Sequence, residues 1–167
     1  MTSEWIDESA VLREWLIDQG LGVASTEDGF AIDDGEVRLD VTDDEDRFVV
    51  RKTWRNEDRG IAMSSPLWVD VERYLTISCA NAARTRVGLR PLRPIAKPAV
   101  GPGAVADGFA LSGDLDQGFT LTGPFPGEPR QLHFASDIDA AKFSRYVVLD
   151  ADEIRERLLR ADADLLA

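Results

Sequence analysis

Cys79 and His133 carry the only thiol and the only imidazole in the chain, so cysteine–histidine nucleophilic chemistry would need both. Cys79 shares a helical pattern with Tyr74, near its apolar side, where a thiol is ordinarily a buried and unreactive core residue. His133 alternates with Leu132 and Phe134 in a strand pattern, which points it to the opposite face. Neither placement suits a catalytic pair. One cysteine excludes an internal disulfide, and one cysteine with one histidine falls short of the ligand sets that hold zinc. The acidic run Asp43, Asp44, Glu45 and Asp46 lacks the alternating spacing and distal glutamate of a calcium loop. It reads as a solvated hairpin turn, suited also to an Arg- or Lys-rich partner. Gly101–Ala106, GPGAVA, matches the loose dinucleotide fingerprint G-x-G-x-x-A. A proline-broken segment precedes it and Pro102 lies inside it, where a buried strand and an opening helix are required. No P-loop, G-x-S-x-G or H-E-x-x-H sequence occurs. Carboxylates are plentiful but fall in turns and on solvated faces. The sequence reads as a non-enzyme, with no catalytic residue, metal site or cofactor.

Charge picks out a different constellation. The chain has 31 acidic and 19 basic residues, a net charge of −12. The window from Arg73 to Ala106 holds Arg73, Arg84, Arg86, Arg90, Arg93 and Lys97 and no acid. Arg73 falls in mid-helix. Arg84 and Arg86 fall at a helix C-terminus, where cations complement the macrodipole. Arg90, Arg93 and Lys97 have no such explanation. They sit on a stretch, about 88–106, with prolines at 91, 94, 98 and 102 and glycines at 88, 101 and 103. That composition rules out a regular element. Long loops of this kind in compact domains tend to be functional or disordered, and a proline-stiffened one loses less entropy on docking. Arg90, Arg93, Lys97, Gly101, Pro102, Gly103, Asp107 and Gly108 are therefore the expected partner-binding residues. The competing reading is that these bases pair with the protein's own acids.

The elements that position them follow from periodicity. Asp7 is a candidate N-cap, with Ile6 and Val11 as its hydrophobic staple; Val11, Leu12, Trp15 and Leu16 form the stripe, and Gly20 suits the left-handed C′ position. Short strands follow: LGVAS, FAI, EVRLDV with Val37, Leu39 and Val41 alternating, FVVRKTW and IAMSS. TEDG, DDG, TDDEDR and RNEDRG link them. Links this short make an antiparallel meander. Ser65 then caps a helix with Pro66 at its first position, and Leu67, Val71, Tyr74, Leu75, Ser78 and Ala82 line one face. After the long loop come strands GFALSG, GFTLTG and QLHFA, a helix capped by Ser136, and a last helix turning Ile154 and Leu158 inward. Trp15 reads as core. Trp5, Trp54 and Trp68 would anchor an interface if exposed, with partial burial the simpler reading.

The whole is an α+β fold: an antiparallel meander sheet packed by about three to four helices, one domain over 1–167. Length agrees with one domain. So acidic a surface repels phosphate backbones and anionic membranes, so neither nucleic acid nor membrane is an expected partner, and a basic protein is favoured. The N-terminus MTSEWIDESAVLREWL has acids where a signal peptide needs bases, and no apolar run approaches a membrane span, so a cytoplasmic protein is expected.

At Glu72, Arg73, Tyr74 and Leu75, followed by Arg84, Arg86, Gly88 and Leu89, the chain resembles a bacterial immunity-protein family. This is the Imm61 type, which includes the immunity factor for the tuberculosis necrotizing toxin. LHFASDIDAAKFSRYVVLDADEIRERLL resembles the family's closing segment, and the order of elements fits. The resemblance implies an antitoxin, without catalysis or cofactor, that binds a secreted toxin's catalytic domain, one to one, and blocks its active site. For that toxin the activity is NAD(P) hydrolysis. The alternative is a secretion chaperone or YbjN-like adaptor, which would bind an unfolded effector segment.

Overall fold

Alternation in the middle of the chain sets the sheet. The structure is a computed structural model that describes residues 4–92 and 105–163. Eight antiparallel strands form one sheet in the order β1-β2-β3-β4-β5-β8-β7-β6. The first five are the expected meander: β1 (Gly22–Ser25), β2 (Gly29–Asp33), β3 (Val37–Asp44), β4 (Arg47–Trp54) and β5 (Glu57–Ser65). Beyond the long loop, β6 (Ala110–Asp114), β7 (Gly118–Thr122) and β8 (Leu132–Phe134) fold back so that β8 pairs with β5. One register row runs Val41–Val50–Met63–Phe134–Phe119 across five strands, and it marks the face that is buried. His133 pairs with Ser64 and Thr120 on the other face and is exposed, as its alternation requires.

The helical segments are α1 (Glu4–Glu8), α2 (Ala10–Asp18), α3 (Trp68–Ser78), α4 (Ala80–Arg86), α5 (Asp137–Tyr146) and α6 (Ala151–Leu158). Six segments exceed the three to four expected because two rods are each broken at one residue. Ser9 separates α1 from α2, and Cys79 separates α3 from α4. At Ser9 the hydroxyl donates to the Ile6 carbonyl at 2.7 Å, the back-bonding that competes with the helical ladder. Asp7 is accordingly inside α1 rather than its cap, and Val11 is 61% exposed, so no staple forms. Leu12 and Leu16 are buried as the stripe requires, and Gly20 ends the rod at φ +80°.

Four further expectations are corrected. RNEDRG is not a loop: Arg55 and Asn56 alone turn the chain, at φ 50° and 64°, and β5 starts at Glu57. Two consecutive left-handed residues match the twist of a tight hairpin. Likewise Asp43 and Asp44 belong to β3, leaving Glu45 and Asp46 as the turn. Ser65 ends β5 instead of capping α3; its hydroxyl donates to Asp70 and accepts the Leu67 N–H. Ser78 is exposed, whereas Trp68 is buried.

Trp68 is buried because Trp5 reaches it. Trp5, Trp68, Phe30 and Phe48 form a ring cluster, with Trp5 and Trp68 centroids 5.3 Å apart, that fixes α1 and the start of α3 to the buried face. Tyr74 and Phe143 pack on Phe134 and bring α3 and α5 to the same face. Helix α6 stacks on α3 through Ile154 and Leu158 and starts at a capping box, Asp150 with Glu153. Ser136 caps α5 as expected, accepting the Asp139 N–H.

The interior holds ions as well as rings. Asp70 is wholly buried and takes a two-pronged contact from Arg130, Nε at 2.6 Å and Nη2 at 2.8 Å. Arg73 approaches the same carboxylate at 3.4 Å and donates to the Leu149 carbonyl at 2.7 Å. Glu72 meets Arg155 at 2.7 Å. Glu72 and Arg73 of the E-R-Y-L segment thus fasten α3 to α6 and to the α5–α6 link, while Asp70 ties α3 to the segment before β8.

Candidate partner-binding site

The long loop is built onto two firm stems. Arg84 does not simply face a helix dipole. It is 2% exposed, and its guanidinium donates to the carbonyls of Arg90 at 2.7 Å, Leu158 at 2.6 Å and Arg160 at 2.7 Å. That contact draws the chain after α4 against the end of α6. Leu92, buried, donates its N–H to the Asn81 side chain at 2.8 Å. On the return, the Ala106 N–H meets the Ser144 hydroxyl at 2.9 Å, and Phe109 packs edge-on against Phe125 at 5.2 Å.

Of the residues expected to contact a partner, the Arg90 side chain is exposed at the first stem, and Asp107 and Gly108 are exposed at the second. Gly108 has φ +86°, a conformation that suits glycine. Arg93, Lys97, Gly101, Pro102 and Gly103 lie outside the described residues. Arg86 is in the last turn of α4, in keeping with the dipole reading, and its Nε lies close to Gly20 at the end of α2.

A groove that the sequence did not announce lies under the open end of the sheet. Its deep part, about 220 Å³, is bounded by Leu39 and Lys52 from the sheet, Tyr74 and Ile77 from α3, and Lys142 and Phe143 from α5. It continues past Val37, Lys52 and Asp139 to Trp54, Arg59 and Ser136. Register explains this lining. Val37 pairs with Trp54 and Leu39 with Lys52, so Lys52 and Trp54 extend the buried face past the helices that cover it. Trp54 is 40% exposed, with the Arg55 and Arg59 guanidiniums 5.2 Å and 5.0 Å from its ring. Asp139 lies 4.0 Å from Lys142; burial raises its carboxyl above the ordinary aspartate value, against the pull of Lys142 and Lys52.

The nucleophile candidates stay apart. Cys79 is buried in the break between α3 and α4, and burial pushes its thiol up to about 12. His133 lies on the outer face, its Nδ1 3.0 Å from the Thr120 hydroxyl; partial desolvation at this exposed ring and the Arg47 charge lower its pKa. Among the described residues no group of three or more His, Cys, Asp or Glu is arranged to hold a metal ion. No described helix is long and apolar enough to cross a membrane.

Comparison with known proteins bears on this arrangement. The family model described as Immunity protein 61 matches residues 15–164. Among solved structures, Rv3902c from M. tuberculosis superposes with a TM-score of 0.77. It is 18% identical in sequence, with 99% of this chain and 97% of that chain covered, a likeness of fold. No curated protein sequence matches the chain. With the family model spanning all but the first residues and the last few, the chain belongs to the Imm61 immunity-protein family.

Proposed function

We propose that this protein is the antitoxin of a toxin–immunity pair, binding the catalytic domain of its cognate toxin one to one and covering the active site. Family membership over residues 15–164 is the observation that carries this reading. The buried, proton-holding thiol of Cys79 and its separation from His133 agree with a protein that acts by contact. The enzyme blocked is an NAD(P) glycohydrolase; this rests on the resemblance at Glu72–Leu75 and Arg84–Leu89. Those residues fasten the fold more than they face outward: Tyr74, Leu75 and Arg84 are buried and Glu72 is paired with Arg155. Specificity for one toxin therefore resides elsewhere on the surface.

The loop between the two stems is one contact, through Arg90, Arg93, Lys97, Gly101, Pro102, Gly103, Asp107 and Gly108. Removing residues 99–104 tests it. The shortened chain should keep the wild-type unfolding midpoint and lose inhibition of NAD(P) hydrolysis. Full inhibition by a folded, shortened chain would remove the loop from the contact. A chaperone, by contrast, would bind an unfolded segment and leave the folded toxin domain active.

A further inference from the structure

The chain has three lysines, Lys52, Lys97 and Lys142, against sixteen arginines. Two of the three, 90 positions apart in sequence, line the same groove. Lys52 has no hydrogen-bond or ion-pair partner within bonding distance among the described residues, and Lys142 has Asp139 at 4.0 Å. The other carboxylate in the groove, Asp34, accepts the N–H groups of Glu36 and Val37 at 2.9 Å and 2.7 Å and is held by its own turn. The walls are mixed: Leu39, Ile77 and Phe143 are apolar, and Tyr74, Ser78 and Asn81 bring polar groups. At the mouth stands Trp54, its ring fixed by two guanidiniums.

We infer that this groove receives an acidic segment of the partner protein, with one carboxylate reaching Lys52 and Lys142 while an apolar neighbour packs on Trp54. The inference rests on the antitoxin reading and names the chemistry the toxin domain must present. Charge complementarity selects the occupant. In a chain of net charge −12, two ammonium groups lining one groove are a local exception, even beside Asp139 and the turn-bound Asp34. A phosphate polymer is disfavoured, because Asp33, Asp34, Glu36, Glu57 and Asp58 crowd the same end of the sheet and repel a continuous line of charge. A single Asp or Glu side chain passes that rim and finds the ammonium groups in a partly desolvated site, where the attraction is stronger than in bulk water. Arg59 is tied to exposed Glu57 at 2.7 Å, a surface pair weak enough to exchange for a partner carboxylate. Tryptophan and arginine are the residue types that dominate interface energetics, and here both are pre-positioned, which lowers the ordering entropy lost on docking.

The scarcity of lysine makes the test direct. A zero-length carbodiimide joins an ammonium group to a carboxylate it touches. Treating the complex of the full chain with the toxin catalytic domain it inhibits should join Lys52 or Lys142 to an Asp or Glu of that domain, located by mass spectrometry. Lys52→Glu and Trp54→Ala, both at positions that are not fully buried, should each keep the wild-type melting temperature to within a few degrees and weaken binding by about thirtyfold or more. Cross-links from Lys97 alone, with both variants binding like wild type, would overturn the groove and leave the antitoxin reading standing. A chain that neither binds nor inhibits any toxin domain made by its own cell would overturn both.

Discussion

Replacing Asp70 by Asn should cost more stability than any other one-atom change in the molecule. Asp70 is wholly buried, and the side chains of its partners Arg130 and Arg73 are 3% and 9% exposed. Asn keeps the shape but removes the charge, and its NH2 group would point at a guanidinium. Two cations then remain in the interior without the carboxylate they share. Breaking a buried pair in this way costs about 3–5 kcal/mol. A domain of this size has only about 5–15 kcal/mol in total. The assay is urea unfolding followed by the fluorescence of the buried Trp5–Trp68 cluster. The control is Asp70→Asn combined with Arg130→Met, which removes one of the stranded charges. If the charges are coupled as the 2.6 Å and 2.8 Å contacts indicate, the double variant is more stable than the sum of the single losses, by about 1 kcal/mol or more. A loss below about 1 kcal/mol for Asp70→Asn, with the double variant additive to within about 0.5 kcal/mol, would refute the reasoning.

Other outcomes follow from single sites. Arg84→Met strips three carbonyls of a charged donor and should destabilise by at least about 2 kcal/mol, read by urea titration, while loosening the chain around Arg90. The Cys79 thiol, pushed up to about 12 by burial, should react with a disulfide reagent at pH 8 about a thousandfold more slowly than in the urea-unfolded chain. Its raised pKa adds stability that is complete below the unfolded value and is lost as pH rises through about 12. His133, with its pKa lowered by partial desolvation and Arg47, should titrate below a free histidine in an NMR pH series. Its contribution to stability is present above the unfolded value and lost as pH falls through the lower, folded one. Gly113→Ala should open the β6–β7 pairing, since a Cβ there would sit 2.1 Å from the Gly118 carbonyl oxygen; loss of amide protection in both strands is the readout.

What the sequence disclosed was local. Alternation at Val37, Leu39 and Val41 set both a strand and its buried face, and Leu132, His133 and Phe134 did the same for β8. Gly20 and Ser136 marked helix ends through short-range chemistry that needs no distant partner. Some misreadings were local, such as the turns shortened to Glu45–Asp46 and Arg55–Asn56; others involve partners far along the chain. Arg84 at a helix end looks like a dipole complement, because the carbonyls of Leu158 and Arg160 are more than 70 residues away. The burial of Trp68, the simpler reading in the sequence, depends on Trp5 at the other end of the first rod. Ser65 looks like a cap because Asp70, its actual partner, is itself defined by Arg130, 60 positions on. The groove was missed for the same reason. The only local signals were the rarity of lysine and the strand alternation that sets Lys52 beside Trp54; nothing local brings Lys142 to them. The family segments E-R-Y-L and R-x-R-x-G-L were legible because they fasten the fold, whereas the proposed contact surface leaves no such pattern.

The central claim is inhibition by contact, and one titration tests it most directly. NAD(P) consumption by the cognate toxin's catalytic domain is measured against increasing amounts of the full chain. The account predicts activity falling linearly to zero at one equivalent. A folded toxin domain that stays fully active with the chain in excess would contradict it.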